Sequence, residues 1–166
     1  MKRTKRSRRK REFVDPTGDI WDSRFEWQVY VGLRDLGYDV RRCDQRDTFS
    51  YSVPVQSGFC LECYGHHTVQ RRTYTPDLYV AADDNERREE VGEAGYFVEC
   101  KGYIRPQDRK ILINLAKGKP RPSVRVMFQQ DIKMTPKRRA VEYMTEYVKL
   151  PAALWNNGAF EWRFPK

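Results

Sequence analysis

The chain has 166 residues, of which 39% are apolar and 13% aromatic. This composition fits one compact domain and excludes an intrinsically disordered protein, which would carry far fewer aromatic residues. No apolar stretch approaches the ~20 residues that a membrane-spanning helix needs, and the basic N-terminus lacks the apolar run of a signal peptide. We therefore expect a soluble, cytoplasmic protein with no membrane partner.

The net charge of +9 is unevenly distributed. Eight of the 32 basic residues lie between positions 2 and 11 with no acidic residue among them, which leaves 24 basic against 23 acidic residues elsewhere. They are Lys2, Arg3, Lys5, Arg6, Arg8, Arg9, Lys10 and Arg11. Residues 1–11 are predicted to be a disordered arm that binds DNA phosphates, although a solubilising or localising tail would have the same composition.

A helix is predicted over residues 23–36. Ser23 followed by Glu26 forms a capping-box pattern, and apolar residues then recur at helical spacing until Gly37. An extended stretch begins at Tyr38. Residues 48–55 alternate apolar with polar side chains as far as Pro54, which indicates an edge or bridging strand. Residues 56–72 have no such pattern and are expected to be irregular.

Two strands are predicted next, over residues 74–80 and 96–101, with the highly charged residues 83–95 forming a solvated turn or loop between them. Side chains alternate across a strand. Glu99 and Lys101 would therefore share one face of the second strand, whereas Cys100 would face the other way as a small buried apolar residue.

The remaining elements complete a helix-and-sheet pattern. A helix is predicted over residues 107–117, a strand over 123–129, a helix beginning at Thr135-Pro136, and a short aromatic element over 150–164. The order of elements predicts an α/β fold with a central mixed sheet flanked by helices, forming a single domain over residues 12–166.

Three of these positions suggest a catalytic site. Asp77 and Glu99 are hard oxygen ligands of the kind that Mg²⁺ prefers, and Lys101 would activate the attacking water or stabilise a phosphate. Glu26, in the first helical turn, would face a second Mg²⁺ or orient the water. Such a set predicts hydrolysis of phosphodiesters in nucleic acid.

Each of these residues also has a purely structural explanation. Asp77 would be a turn residue after Pro76, Glu99 and Lys101 a surface ion pair, and Glu26 a helix cap. For each residue taken singly, Glu26 included, that explanation is the stronger one. The combination favours catalysis, because a glutamate between Val98 and Cys100 in an apolar strand is poorly explained as surface decoration.

A longer pattern carries a family resemblance. The segments are Tyr74-Thr75-Pro76-Asp77, Phe97-Val98-Glu99-Cys100-Lys101-Gly102, Asp108-Arg109-Lys110 before an apolar helix, and the strand Val124-Arg125-Val126-Met127-Phe128. Together they resemble the bacteriophage endonuclease I type of Holliday-junction resolvase, within the PD-(D/E)xK nuclease superfamily. The resemblance covers about residues 20–130 and includes the order of elements.

The resemblance implies a restriction-endonuclease-like core and a metal-dependent endonuclease that cleaves four-way junctions and other branched DNA. Asp77 and Glu99 match the metal-binding acids, Lys101 the catalytic lysine, Glu26 the acid of the first helix, and the Cys100 carbonyl a further metal contact. The cofactor would be Mg²⁺, with Mn²⁺ as a substitute. The resemblance also implies a homodimer bridged by a swapped strand, for which residues 49–55 are the candidate, and host cytoplasm if the chain is phage-encoded.

The cysteine and histidine residues suggest a second metal. Cys60 and Cys63 have the spacing of a zinc knuckle, with His66 and His67 close behind and Cys43 as a candidate fourth ligand. A structural Zn²⁺ would stiffen the insertion formed by residues 56–72. The alternative is that the cysteines are ordinary thiols and that a histidine lies near DNA.

Two other functions remain open on the sequence. One is a sequence-specific or transposition-associated nuclease with the same PD-(D/E)xK core. The other is a non-catalytic, zinc-stabilised DNA-binding module with a basic arm. The first would cut linear duplex as well as junctions, whereas the second would cut neither.

Overall fold

The computed structural model describes residues 12–59, 66–81, 95–118 and 122–166. The basic arm, Cys60, Cys63 and nearly all of the charged segment 83–95 lie outside these described residues. Side chains are described for all of these residues except 52–69, where only the backbone is considered.

The described part of the chain contains nine strands and a few helices. The first half contains β1 (Phe13–Val14), β2 (Ile20–Trp21), α1 (Arg24–Asp35), β3 (Val40–Arg42), a 3₁₀ turn (Gln45–Asp47), β4 (Phe49–Phe59) and β5 (His66–Tyr74). The second half contains β6 (Leu78–Val80), β7 (Tyr96–Lys101), α2 (Pro106–Lys117), β8 (Val124–Phe128), α3 (Ala140–Glu142) with its π-helical continuation (Tyr143–Val148), and β9 (Ala152–Leu154).

The central sheet has five strands in the order β3-β6-β7-β8-β9. β3, β6 and β7 pair antiparallel, whereas β7, β8 and β9 pair parallel. The predicted mixed sheet is therefore confirmed. β1 pairs with β2 and β4 with β5 in two separate antiparallel ribbons. The ends of β7 and β8 lie at the same edge of the sheet because the two strands run in the same direction.

Hydrophobic side chains pack on both faces of this sheet. On one face, α1 contributes Phe25, Val29 and Leu33 to a cluster that also holds Val98 and Cys100 of β7. On the other face, α2, α3 and its continuation pack with β8 side chains around Phe128. Since Val98 and Cys100 belong to the α1 face, Glu99 and Lys101 point to the opposite one, as the period of two predicts.

Several predicted elements are confirmed closely. α1 begins after Ser23, whose hydroxyl accepts a hydrogen bond from the Glu26 N–H at 3.1 Å. β7 has the predicted bounds, and α2 and β8 differ from theirs by about one residue. Cys100 is buried and carries a free thiol, as expected. Met144 and Val148, which follow the predicted start of the third helix, are buried in the core.

The structure corrects three boundaries. Residues 56–59 and 66–72 are not irregular, since β4 continues to Phe59 and β5 pairs with it from His66. The predicted strand 74–80 is interrupted around Pro76, which cannot donate a backbone hydrogen bond to a ladder. The last helix begins at Ala140 rather than Thr135, because the Thr135 hydroxyl instead accepts the Arg138 N–H at 3.0 Å in a turn.

The C-terminal residues close over the sheet through aromatic contacts. The guanidinium of buried Arg125 lies 3.7 Å from the Tyr96 ring centroid and 5.3 Å from that of Trp162. Trp155 packs so tightly on α1 that a Cβ at Gly32 would come within 2.5 Å of its ring. The aromatic terminal element expected from the sequence is thus packed against the core. Of the helices described here, none is long and apolar enough to cross a membrane.

Candidate active site

Three of the four predicted catalytic residues line one cavity of about 780 Å³. Glu26 enters it from the first turn of α1, Asp77 from the residue before β6, and Lys101 from the end of β7. Cys100 also lines the cavity, although its thiol packs in the core. Residues from three elements that are distant in sequence therefore meet in one place.

Glu99 lies directly beside this group but is almost fully buried, with 2% of its surface exposed. One carboxylate oxygen, Oε1, forms an ion pair with the Lys101 ammonium. The other, Oε2, is buried and has no hydrogen-bond partner in the described structure. A buried oxygen without a partner is costly, and a cation bound beside Oε2 would offset that cost.

Asp77 is held by the backbone of β7. Its Oδ2 accepts a hydrogen bond from the Cys100 N–H at 2.7 Å. Burial raises the pKa of Asp77 well above its usual value, and the charge of Glu99 raises it further, while Lys101 acts in the opposite direction. Glu26, only 5% exposed, adds a third negative charge. Several carboxylates in one small volume repel one another, and a divalent cation would relieve that repulsion.

Lys101 remains charged in this environment. Burial by itself would lower its pKa, but the neighbouring carboxylates of Glu99 and Asp77 outweigh burial and raise the pKa above the usual value. The side chain is 20% exposed, so its ammonium is held between the buried Glu99 and the cavity. It is therefore a fixed positive charge at the wall of the cavity.

The residues present fit Mg²⁺ only as a partial ligand set. Among the described residues, no group of three or more histidine, cysteine or acidic side chains is already arranged to hold a metal ion. Mg²⁺ is usually held by one or two carboxylates, with waters and substrate phosphates supplying the other ligands. Asp77 and Glu99 meet that requirement, with the Cys100 carbonyl and Glu26 as the further predicted contacts.

Of the predicted zinc ligands, Cys60 and Cys63 lie outside the described residues, so the zinc site stays a prediction, and the structure describes only Cys43 and the backbone of His66 and His67. The Cys43 N–H donates to the Asp77 carbonyl at 3.0 Å, so Cys43 lies beside the acidic cavity. His66 pairs with Phe59, ten residues along β4 from the base of the hairpin. At about 3.3 Å per residue, about 30 Å of ribbon separates His66 from the base of the hairpin. Burial raises the pKa of the Cys43 thiol to about 12, which opposes the thiolate form that zinc requires.

Sequence reasoning missed several residues at this site. Tyr74 is half-buried, and burial together with the nearby Glu99 charge raises its pKa. Arg24, Tyr103, Arg105 and Gln129 line the cavity. Gln129 directly follows β8, so the parallel pairing of β7 and β8 would have indicated its position beside Lys101. No comparable signal marks Tyr74, which reaches Glu99 from a separate ribbon.

Comparisons with known proteins assign no family to this geometry. The chain matches no protein-family model, no curated protein and no solved structure. The chemistry of the site is therefore argued from its own residues.

Replacing Asp77 with asparagine tests the proposed metal fit without any substrate. Asparagine keeps an oxygen for the Cys100 N–H but removes a buried charge, so the variant should gain about 0.5–2 kcal/mol in free energy of unfolding without divalent cations. The folded-state pKa of Asp77 is raised, so the free energy of unfolding of the wild-type protein falls as pH rises above about 4. The stability difference between Asp77→Asn and the wild-type protein therefore grows with pH.

Adding Mg²⁺ should make the wild-type protein more stable than Asp77→Asn. At a hundredfold excess over its dissociation constant, the ion would stabilise the wild-type protein by about 2.7 kcal/mol and leave Asp77→Asn nearly unchanged. Urea unfolding at several pH values, with and without Mg²⁺, measures both effects. Asp39→Asn removes an exposed carboxylate outside the cavity and serves as the control. Equal stabilisation of all three proteins by Mg²⁺ would contradict a site at Asp77.

Proposed function

We propose that this protein is a metal-dependent DNA endonuclease that cleaves four-way junctions and other branched DNA. The observation that carries the proposal is the convergence of Glu26, Asp77 and Lys101 on one cavity, with the Glu99–Lys101 ion pair immediately beside it. An acidic centre next to a buried but charged lysine suits the hydrolysis of a phosphodiester.

In this proposal each residue has a separate task. Asp77 and Glu99 would hold Mg²⁺, assisted by the Cys100 carbonyl, and the ion when bound would supply charge neutralisation at the phosphate. Lys101 would lie against the scissile phosphate and favour deprotonation of the attacking water. Glu26 would orient that water or help to hold a second ion. The hydrogen bond from the Cys100 N–H fixes the orientation of Asp77 before substrate binds.

The five-stranded mixed sheet is compatible with a restriction-endonuclease-like core, which we include in the proposal. We also propose a homodimer, in which two sites cut symmetric strands of a junction. The hairpin β4–β5 is the candidate bridge, because it contains residues 49–55 and pairs only with itself among the described strands. A two-stranded ribbon is only marginally stable in water, so packing against a second subunit or DNA would stabilise it.

Cleavage of paired substrates tests the proposal. Equal amounts of an immobile four-way junction and a linear duplex with the same arm sequences would be incubated together with Mg²⁺. We expect strong preference for the junction and no cleavage when EDTA replaces Mg²⁺. Equal cleavage of both would favour a sequence-specific or transposition-associated nuclease instead. No cleavage with Mg²⁺ or Mn²⁺ would favour a non-catalytic, zinc-stabilised DNA-binding module.

A further inference from the structure

A short loop after β7 places an exposed aromatic ring at the mouth of the acidic cavity. Gly102, Tyr103 and Arg105 all line the cavity together with Asp77 and Lys101. Tyr103 is 68% exposed, the largest exposure among the large hydrophobic side chains described. No aromatic ring contact among the described residues involves Tyr103. Folding therefore leaves this ring in water beside the site.

The loop that carries Tyr103 is fixed on both sides. The Lys101 carbonyl accepts the Gln129 N–H at 3.1 Å, which ties the end of β7 to the end of β8. The next side chain, Ile104, is 1% exposed and belongs to the core. The Arg105 N–H then donates to Asp108 Oδ2 at 2.8 Å. Tyr103 thus projects outward from a backbone segment that is held on both sides. Ligand binding would therefore not have to order this segment.

Two cationic side chains share this rim. Arg24, at the start of α1, and Arg105, at the start of α2, are both exposed and both line the cavity. Guanidinium groups bind phosphate oxygens well, whereas an exposed aromatic ring stacks on the flat face of a base. Asp22 and Asp108 also line the cavity, and Asp108 is engaged by the Arg105 N–H. Arginine and tyrosine together match the repeating unit of a nucleic-acid strand.

We propose that Tyr103 is a stacking platform for an unstacked base next to the scissile phosphate, with Arg24 and Arg105 binding the phosphates that flank it. Bases inside a continuous duplex are covered on both faces by their neighbours, so only an unstacked base offers a face to Tyr103. This inference rests on the proposed nuclease function and narrows its substrate to strands that are open at the cut.

Binding to single-stranded DNA tests the platform separately from cleavage. The probe is an oligonucleotide carrying 2-aminopurine, whose fluorescence falls when an aromatic ring stacks on it, titrated with the full chain in EDTA at physiological salt. Tyr103→Ala should weaken binding by about 10- to 100-fold and abolish the fluorescence change. Tyr103→Phe keeps the ring and should behave like the wild-type protein, and affinity for linear duplex should stay the same in every variant.

Tyr147→Ala is the matched control, because Tyr147 is 61% exposed and lies outside the cavity lining. Wild-type affinity and fluorescence in Tyr103→Ala would overturn the proposal, as would a Tyr103→Phe variant that fails like the alanine variant. Because no step of the assay needs Mg²⁺, a wild-type protein that never cuts DNA would contradict the proposed function alone. Loss of fluorescence change in Tyr103→Ala would support the platform even then.

Discussion

Replacing Lys101 with alanine is expected to lower the rate of junction cleavage by about 10²- to 10⁴-fold while leaving junction binding nearly intact. The ammonium of Lys101 is the positive charge that the structure holds between buried Glu99 and the cavity. Binding depends on many other basic residues, so it should survive the loss of one. Glu99→Gln should have a similar effect on cleavage, because it removes a predicted metal ligand.

Stability must be measured alongside activity in these variants. Removing Lys101 leaves the buried Glu99 without its ion partner, and breaking such a pair costs about 3–5 kcal/mol when it is fully buried. The double variant Lys101→Met with Glu99→Gln removes both charges together and should recover part of that stability. Lys117→Ala, an exposed lysine at the end of α2, is the activity control. A folded Lys101→Ala protein that cuts at the wild-type rate would refute the assignment of the site.

Removing residues 2–11 should weaken DNA binding more than any single substitution in the described body. Eight basic residues leave with this segment, and the rest of the chain is nearly neutral. If all eight contact phosphates, the slope of log affinity against log salt should flatten by up to about 7 units. The measurement is a salt titration of junction binding by the intact and shortened chains.

Replacing those eight basic residues with serine distinguishes the effect of charge on DNA binding from the effect of chain length. It should bind like the shortened protein if charge is responsible. Cleavage at low salt and saturating protein should persist in both variants, because the cavity is unchanged. An unaltered salt slope would mean that the segment does not contact DNA in the complex.

The parts of the fold that follow from local patterns could be predicted from the sequence. Ser23 and Gly37 delimit α1 through capping, and alternation assigns Glu99 and Lys101 to one face of β7. Alternation also indicates the first part of β4, but residues 56–59 and 66–72 could not be predicted in the same way, since they become strands by pairing across the hairpin. Glycine, cysteine and polar residues in that region conceal the pairing from any local pattern.

The candidate site could also be predicted only in part from the sequence. Its acids and lysine were identified because the chemistry restricts the residue types and because Glu99 is out of place in an apolar strand. The burial of Glu99 behind Lys101 and the proximity of Tyr74 depend on tertiary packing. Likewise, nothing local distinguishes Tyr103 from other exposed tyrosines until the cavity beside it is known.

The position of β7 in the sheet ties the site to the stability of the whole domain. It is the middle strand of five and carries Glu99 and Lys101, and its Cys100 N–H orients Asp77. Such a strand exchanges its amide protons only when the domain unfolds as a unit, unlike strands at the edges. The geometry of the candidate site would therefore persist unchanged on warming and disappear in a single step. Partial heat damage would then reduce the number of molecules with an intact site rather than alter the site in each of them.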